Sequence, residues 1–596
     1  MINSYSSRRI SSSKLLLPLL LLVAGFRVCY NFEIMAARNI PHGSTSTSIN
    51  IQWFRLMDLR LHDNPSLVKS IEFAKKDLTG ILPIFCFDPR IFGNEARSEF
   101  GSIKCGPRRA KFILEGVLDL RKQLESRGSG LIVAYGKPEV EFVKILKMID
   151  PNRDIPCRIF CQEEVCSEEL LVDNAVRNAI TRHNNKSNLH PVWGSTLYQH
   201  DDLPFNDGVF GMSDTFTPFR NIVEEKCQIG NPLPIPGKEE LKIVDIDEID
   251  KCSANYMPTL SDLGYNQQQI HHANTVHERG VMSFIGGETA ALARCKEFIW
   301  DKDLIKVYFD TRNGLIGPDY STKFSPWLAH GNISPRYIAK ECRNYEEIRV
   351  ANKSTYWVVF ELLVRDYFKF FAKKHGNKIF FSGGTTTGAE KKWGSDKRHI
   401  TAWKEGRTGF PFVDANMREL AETGFMSNRG RQNVCSFLAH DLNQDWRYGA
   451  DYFESILLDH DVHSNWGNWC AGAGMTGGRI NKFNIVKQSK DYDQYGDYVR
   501  RWLPELKDVP IDFLHQPWTM SQFHQIESNC RLGVDYPNPI VPPYNPKQGG
   551  GKGNGDNRKR GVREQKKKKK NDNRNRGRGQ REDMKSLKQG QIIMKD

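Results

Sequence analysis

The 596-residue chain holds 13 cysteines but no CxxC pair, and no histidine stands at metal-ligand spacing beside its only cluster, Cys157, Cys161 and Cys166. This argues against a zinc framework or a disulfide scaffold, and no metal site is expected; the thiols read as reduced and intracellular. Long apolar runs are missing too. The stretch "LLLPLLLLVAG" (15–25) has eleven residues, too few to cross a bilayer, so no stable membrane span is expected. No internal repeat is visible. Net charge is nearly absent from the body: residues 1–546 hold 67 Lys/Arg against 65 Asp/Glu, whereas residues 547–596 hold 18 against 6. An acidic partner of the body must therefore meet a local patch rather than a general field.

What is present is a globular composition, 39% hydrophobic and 11% aromatic, with room for two to four domains. Arg8, Arg9 and Lys14 precede the short apolar run, and the residues from Phe26 to about 48 are Ser/Thr-rich and nearly free of acid. Residues 1–48 read as a targeting leader or as disordered. As a leader they resemble the bipartite plastid type of algae with complex plastids; a translation start at Met35 would make it irrelevant. At the far end, "RKR" (558–560), "KKKKK" (566–570) and an Arg-Gly run form a low-complexity tail, 546–596, expected to be disordered. It suits nuclear import or nucleic-acid binding as well as simple solubilisation. The compartment is thus open between plastid and nucleus.

From residue 49, short apolar runs of strand length ("INIQWF", "ILPIFCFD", "LIVAYG", "CRIFCQ") alternate with helical patterns. In the segment after Pro107, Ile113, Val117, Leu120 and Leu124 recur at spacings of three and four, with Gly128 as the stop. Strand–helix alternation over 49–190 predicts a Rossmann-like α/β domain with a parallel sheet. Residues 191–275 read as a connecting segment. Over 276–515 strand signals nearly vanish, and 287–304, 354–373, 412–423 and 431–446 suit helices, so an all-α domain is expected, followed by an extension over 516–545.

Four stretches carry chemistry. "WFRLMDLRLHDNPSL" (53–67) mixes Arg55, Arg60, Asp58 and Asp63 and suggests an ion-pair network. In "DYSTKFSPWLAHGNISPR" (319–336), Ser321, Thr322 and Ser325 offer hydroxyls and Lys323 a charge, with Ser325 as cap and Pro326 in the first turn of a helix, a competent phosphate site. "WKEGRTGFPFVDANMRELAETGFMSNRGRQNVCSFLAHDLNQDW" (403–446) reads as helices broken at Gly424, with Asn428 and Arg431 on the surface by default. "LLDHDVHSNWGNWC" (457–470) is too polar for a core and too aromatic for a surface; His463 reads as a surface histidine.

Together these strings resemble the photolyase/cryptochrome family over about 49–515, and its DASH branch in particular. Two residues, Leu56 and Met57, stand where the family's opening motif usually has one. The resemblance implies an antenna domain at 49–190 and a helical FAD-binding domain at 276–515. It further implies that Ser321, Thr322, Lys323, Phe324 and Ser325 hold the FAD diphosphate beside Tyr308. By the same token Asn428 and an Arg431–Asp459 pair meet the flavin ring, Asp461 flanks it, and Asn465 faces its N5. Reduction builds negative charge near N1 and O2, which Arg431 would stabilise, while asparagine is not acidic and supplies no ready proton at N5. Trp469, Trp446 and Trp393 match an electron relay. Glu361 matches a carboxylate that contacts a cyclobutane pyrimidine dimer, and Gln432 is typical of DASH members. A folate antenna, 5,10-methenyltetrahydrofolate, is implied near Glu164.

Two positions depart from repair enzymes. Val364 and Ala471 stand where classical members carry tryptophan, and typical DASH proteins carry tyrosine at the second. Losing ring area removes stacking of about 1–3 kcal/mol per base. The leading expectation is a blue-light FAD photoreceptor that signals through an unknown protein partner by flavin photoreduction, with possible DNA binding. One alternative is a light-driven dimer photolyase restricted to single-stranded DNA. The other is a DNA- or RNA-binding regulator acting through its basic tail, with salt-dependent, sequence-indifferent affinity.

Overall fold

β-Branched and aromatic runs make five strands: β1 (Ile49–Phe54), β2 (Ile81–Phe87), β3 (Ile132–Tyr135), β4 (Cys157–Gln162) and β5 (Asn188–Val192). In the computed structural model, which describes residues 48–243, 256–386, 391–478, 480 and 482–543, they form one parallel sheet in the order β3-β2-β1-β4-β5. β1 and β2 are buried along their whole length, as a sheet covered on both faces requires. β5 has no apolar run to announce it: "NLHPV" alternates in exposure and carries Pro191, which an edge strand tolerates. The expected leader and basic tail lie outside the described residues.

The crossovers are α1 (Pro65–Asp77), α2 (Pro107–Glu125), α3 (Pro138–Ile149) and α4 (Ser167–His183). The first three place proline in the opening turn, where its missing N–H costs nothing. α2 ends three residues before Gly128, which has φ of 74°. The chain then runs through short turns and two helices, Phe216–Lys226 and Gln267–Asn274, before the helical half begins at Glu288. There the 23-residue helix Lys353–His375 is central, capped by Asn352 and packed against the helix Val462–Gly472. Helix Pro411–Thr423 stops at Gly424 in the left-handed region, as the sequence suggests. The segment over 431–446 is not one helix: Asn428–Ser436 passes into a wider π turn, Phe437–Asp441, and then leaves helix. The extension docks on the helical half, where Tyr536 donates its hydroxyl to buried Asp414 at 2.6 Å.

The charged residues after β1 do form a network, but mostly with distant partners. Arg55 pairs with Asp173 at 2.6 Å, Asp63 with Arg336 at 2.6 Å, Arg60 donates to the Gly331 carbonyl at 3.0 Å, and Glu288 accepts from the Leu61 amide and pairs with His62. This motif therefore ties the sheet to the helical half.

Candidate flavin site and a second cavity

A cavity of about 460 Å³ opens in the helical half. At one end lie Ser321, Thr322, Lys323, Phe324 and Ser325. The helix after them, Ser325–Ala329, is a single turn, and Ser325 is its first residue rather than its cap. Side chains rather than a long helix dipole must therefore hold an anion here. Lys323 is 2% exposed and takes a left-handed φ of 60°, a conformation that costs energy away from glycine. Its ammonium bonds the Ser321 hydroxyl at 2.9 Å and lies 3.0 Å above the Tyr320 ring centroid. No carboxylate stands at ion-pair distance among the described residues, and burial, with Arg294 nearby, pushes its pKa well down. A buried, unpaired ammonium beside three hydroxyls is a site that an anionic diphosphate would complete.

Farther in, Arg431 donates from Nη2 to Asp459 Oδ2 at 2.8 Å and from Nε to the Met426 carbonyl at 2.9 Å. Asp459 is buried, and its Oδ1 lacks a protein partner. Neither Arg431 nor Asp459 is a plain surface residue; both line the cavity with Asn428 and Asn465. Asn465 gives one amide N–H to the Ala450 carbonyl at 2.9 Å, which leaves its amide oxygen and its second N–H free of protein partners among the described residues. At the rim, Glu361 accepts from Tyr308 at 2.8 Å and pairs with Arg312 at 3.4 Å; burial raises its pKa. Gln432 is exposed at the same rim and accepts from Arg429 at 3.0 Å. Ala471 lines this cavity; Val364 is half-buried and is not part of its lining.

Trp469 lines the cavity and is 3% exposed. Its ring approaches Gly449 so closely that any Cβ there would collide with it, and Gly449 follows Trp446 by one turn. Trp446 is fully buried and Trp393 half-buried. Both donate their indole N–H, each at 3.1 Å, to one acceptor, the backbone carbonyl of Ser382.

Asp461 is placed differently from Asp459. It caps the helix Val462–Gly472, accepting from the Ser464 amide at 2.7 Å and the Ser464 hydroxyl at 2.8 Å, and faces another cavity. His463 is not on the surface: it is 2% exposed and pairs with Asp461 at 2.9 Å. Its helix turns it inward, a fact its polar sequence neighbours hide. Burial alone would raise the Asp461 pKa, but His463 and Arg365 hold it well below the usual carboxylate range.

That second cavity, about 630 Å³, lies at the carboxyl ends of β1, β2 and β4 and is lined by Glu164, Asp461, His330 and His460 among others. Chain order reverses between β1 and β4, the place where open parallel sheets hold ligands. Glu164 is buried there, with a pKa raised by burial. His330 and His460 each keep a buried Nδ1 without a protein partner. Neither histidine is singled out by its sequence context, nor are Arg312, Phe425 and Phe453 of the first cavity, because side chains from scattered segments carry no shared signal. The described residues hold no cluster suited to a metal ion and no helix long and apolar enough to cross a membrane.

Comparison with known proteins agrees with this geometry. Residues 50–238 match the DNA photolyase family model, and 357–548 match the FAD-binding domain of DNA photolyase. A cryptochrome DASH of Ostreococcus tauri, described as chloroplastic/mitochondrial, is 46% identical over 82% of this chain and 90% of its own. One from Gloeobacter violaceus is 44% identical over 83% and 93%. The crystal structure of a Synechocystis cryptochrome superposes with a TM-score of 0.75 at 41% identity, covering 85% of this chain and 98% of that one. The chain belongs to the photolyase/cryptochrome family. Within it the chain is of the cryptochrome DASH kind, an FAD-binding photoreceptor.

Proposed function

We propose that this photoreceptor works by photoreduction of its flavin through Trp469, Trp446 and Trp393, and that dimer repair is weak. FAD, when bound, supplies the ring that absorbs blue light and accepts an electron. Lys323 and its neighbouring hydroxyls hold the diphosphate, Arg431 stabilises charge at the ring, and Asn465, an amide, offers no acidic proton at N5. The observation that supports the relay is that Trp469 lines the cavity while buried Trp446 and half-buried Trp393 share one acceptor, the Ser382 carbonyl. Trp469→Phe should keep FAD absorbance and lose fast photoreduction; unchanged photoreduction would overturn the relay.

Repair restricted to single-stranded DNA is the second reading, favoured by Glu361 at the rim and opposed by Ala471 in the wall. Light-dependent dimer repair on single- and double-stranded substrates decides it, and efficient duplex repair would reverse the ranking. The switch-point cavity supports an antenna chromophore, which we assign to a folate held near Glu164; an absorption spectrum of the purified protein reads flavin and folate together. The leader and the organellar descriptions of relatives support a plastid address, testable with a fluorescent fusion. The tail's basic runs support DNA or RNA retention, which deletion of 547–596 should abolish at low salt.

A further inference from the structure

Trp393 carries a feature that the relay does not require. The Lys391 ammonium sits 3.5 Å from the centroid of its ring and, among the described residues, makes one hydrogen bond, at 3.3 Å to the Ala439 carbonyl. No carboxylate pairs with Lys391 among the described residues. Its pKa is lowered, first by burial and then by Lys482, the charged neighbour that bears on it; Asp441 is already paired with Lys482 at 3.0 Å. The next residue, Lys392, is exposed. One face of the last indole thus lies under an ammonium that has no carboxylate partner among the described residues, while its N–H edge is turned to Ser382.

We propose that Lys391 makes the Trp393 face a docking point for small anionic one-electron donors, which refill the indole after light has drawn an electron from it. This rests on the relay reading above. The step balances simply: one electron passes from the donor anion to the oxidised indole, the donor leaves as its one-electron-oxidised form, no bond is made or broken, and the ammonium keeps its proton. The ammonium acts twice. It disfavours positive charge on the indole, so an oxidised Trp393 is a stronger oxidant, and it concentrates anions at the ring.

The test starts in the dark, on the full-length FAD-loaded protein. The part of the tryptophan fluorescence lost in Trp393→Phe reports this site. Its quenching by iodide relative to caesium should fall about tenfold in Lys391→Glu, fall less in Lys391→Gln, and persist in Lys391→Arg. Quenching by neutral acrylamide should not move, and 0.5 M salt should erase the preference, since the Debye length is then under ~10 Å. In light, the photoreduction rate with ascorbate relative to neutral dithiothreitol should fall about tenfold in Lys391→Glu. FAD absorbance of each variant checks that it folds. An iodide-to-caesium ratio that is the same in wild type and Lys391→Glu overturns the proposal. If Trp393→Phe keeps full photoreduction with both donors, the relay fails instead, a result the dark quenching ratio does not depend on.

Discussion

The two cavities are made in opposite ways. The flavin cavity draws most of its polar groups from a few contiguous strings, 321–325, 428–432 and 459–472, each local enough to be seen as a unit, with Tyr308, Arg312 and Glu361 added from elsewhere. The second cavity gathers side chains from the ends of three strands, from α2, from α4 and from the helical half, so it exists only after the sheet has formed. A site made of strings is visible in a sequence; a site made of strand ends is visible in a topology. One loop belongs to both: Leu457 and Asp459 face the flavin cavity, and His460, Asp461 and Val462 face the other.

The sharpest way to separate the cavities is Arg431→Ala. It leaves the buried Asp459 side chain unpaired, which costs about 3–5 kcal/mol of stability, so the Tm should fall and FAD retention with it, while the lining of the second cavity is untouched. Flavin fluorescence titration measures the loss. Gly449→Ala should be smaller, about 1–3 kcal/mol of overpacking, and local to the Trp469 ring; a lowered Tm with slowed photoreduction and retained FAD is the expected pattern.

The smallest effect concerns pH. Glu419, 1% exposed beneath Lys323 and Arg431, accepts from Tyr498 at 2.6 Å, and burial raises its pKa to about 7. Between the ordinary carboxylate value and about 7 the native state therefore holds a proton that the unfolded chain has released. Stability is highest below that window and declines as pH rises through it, by about 1–3 kcal/mol at most. Glu419→Gln should flatten the difference in denaturant midpoint of the apoprotein between pH 5 and pH 8. A variant as steep as wild type would mean that other acids, such as Asp58 and Asp366, dominate the slope.

The same contrast explains what the sequence disclosed. Strands β1 to β4 were legible because each is a short apolar run, fully buried in β1 and β2, whereas β5 is a half-exposed edge containing Pro191. Arg431 and Asp459 were legible only as a resemblance; nothing in their spacing of 28 positions predicts a 2.8 Å bond. His463 was misread as a surface residue because helix phase, not residue type, decides whether a side chain enters the core. Ser325 was misread as a cap because a one-turn helix and a long one begin with the same letters.

The link between Trp446 and Trp393 runs through a main-chain oxygen, so it has no genotype at its own position. Any residue placed at 382 keeps the carbonyl. What selection can act on is the path of the chain, and that is guarded nearby: Gly384 has φ of 57°, and a side chain there would strike the Met475 backbone and Cys470. Sequence drift at 382 should therefore leave the shared carbonyl of Trp446 and Trp393 in place, and drift at 384 should not.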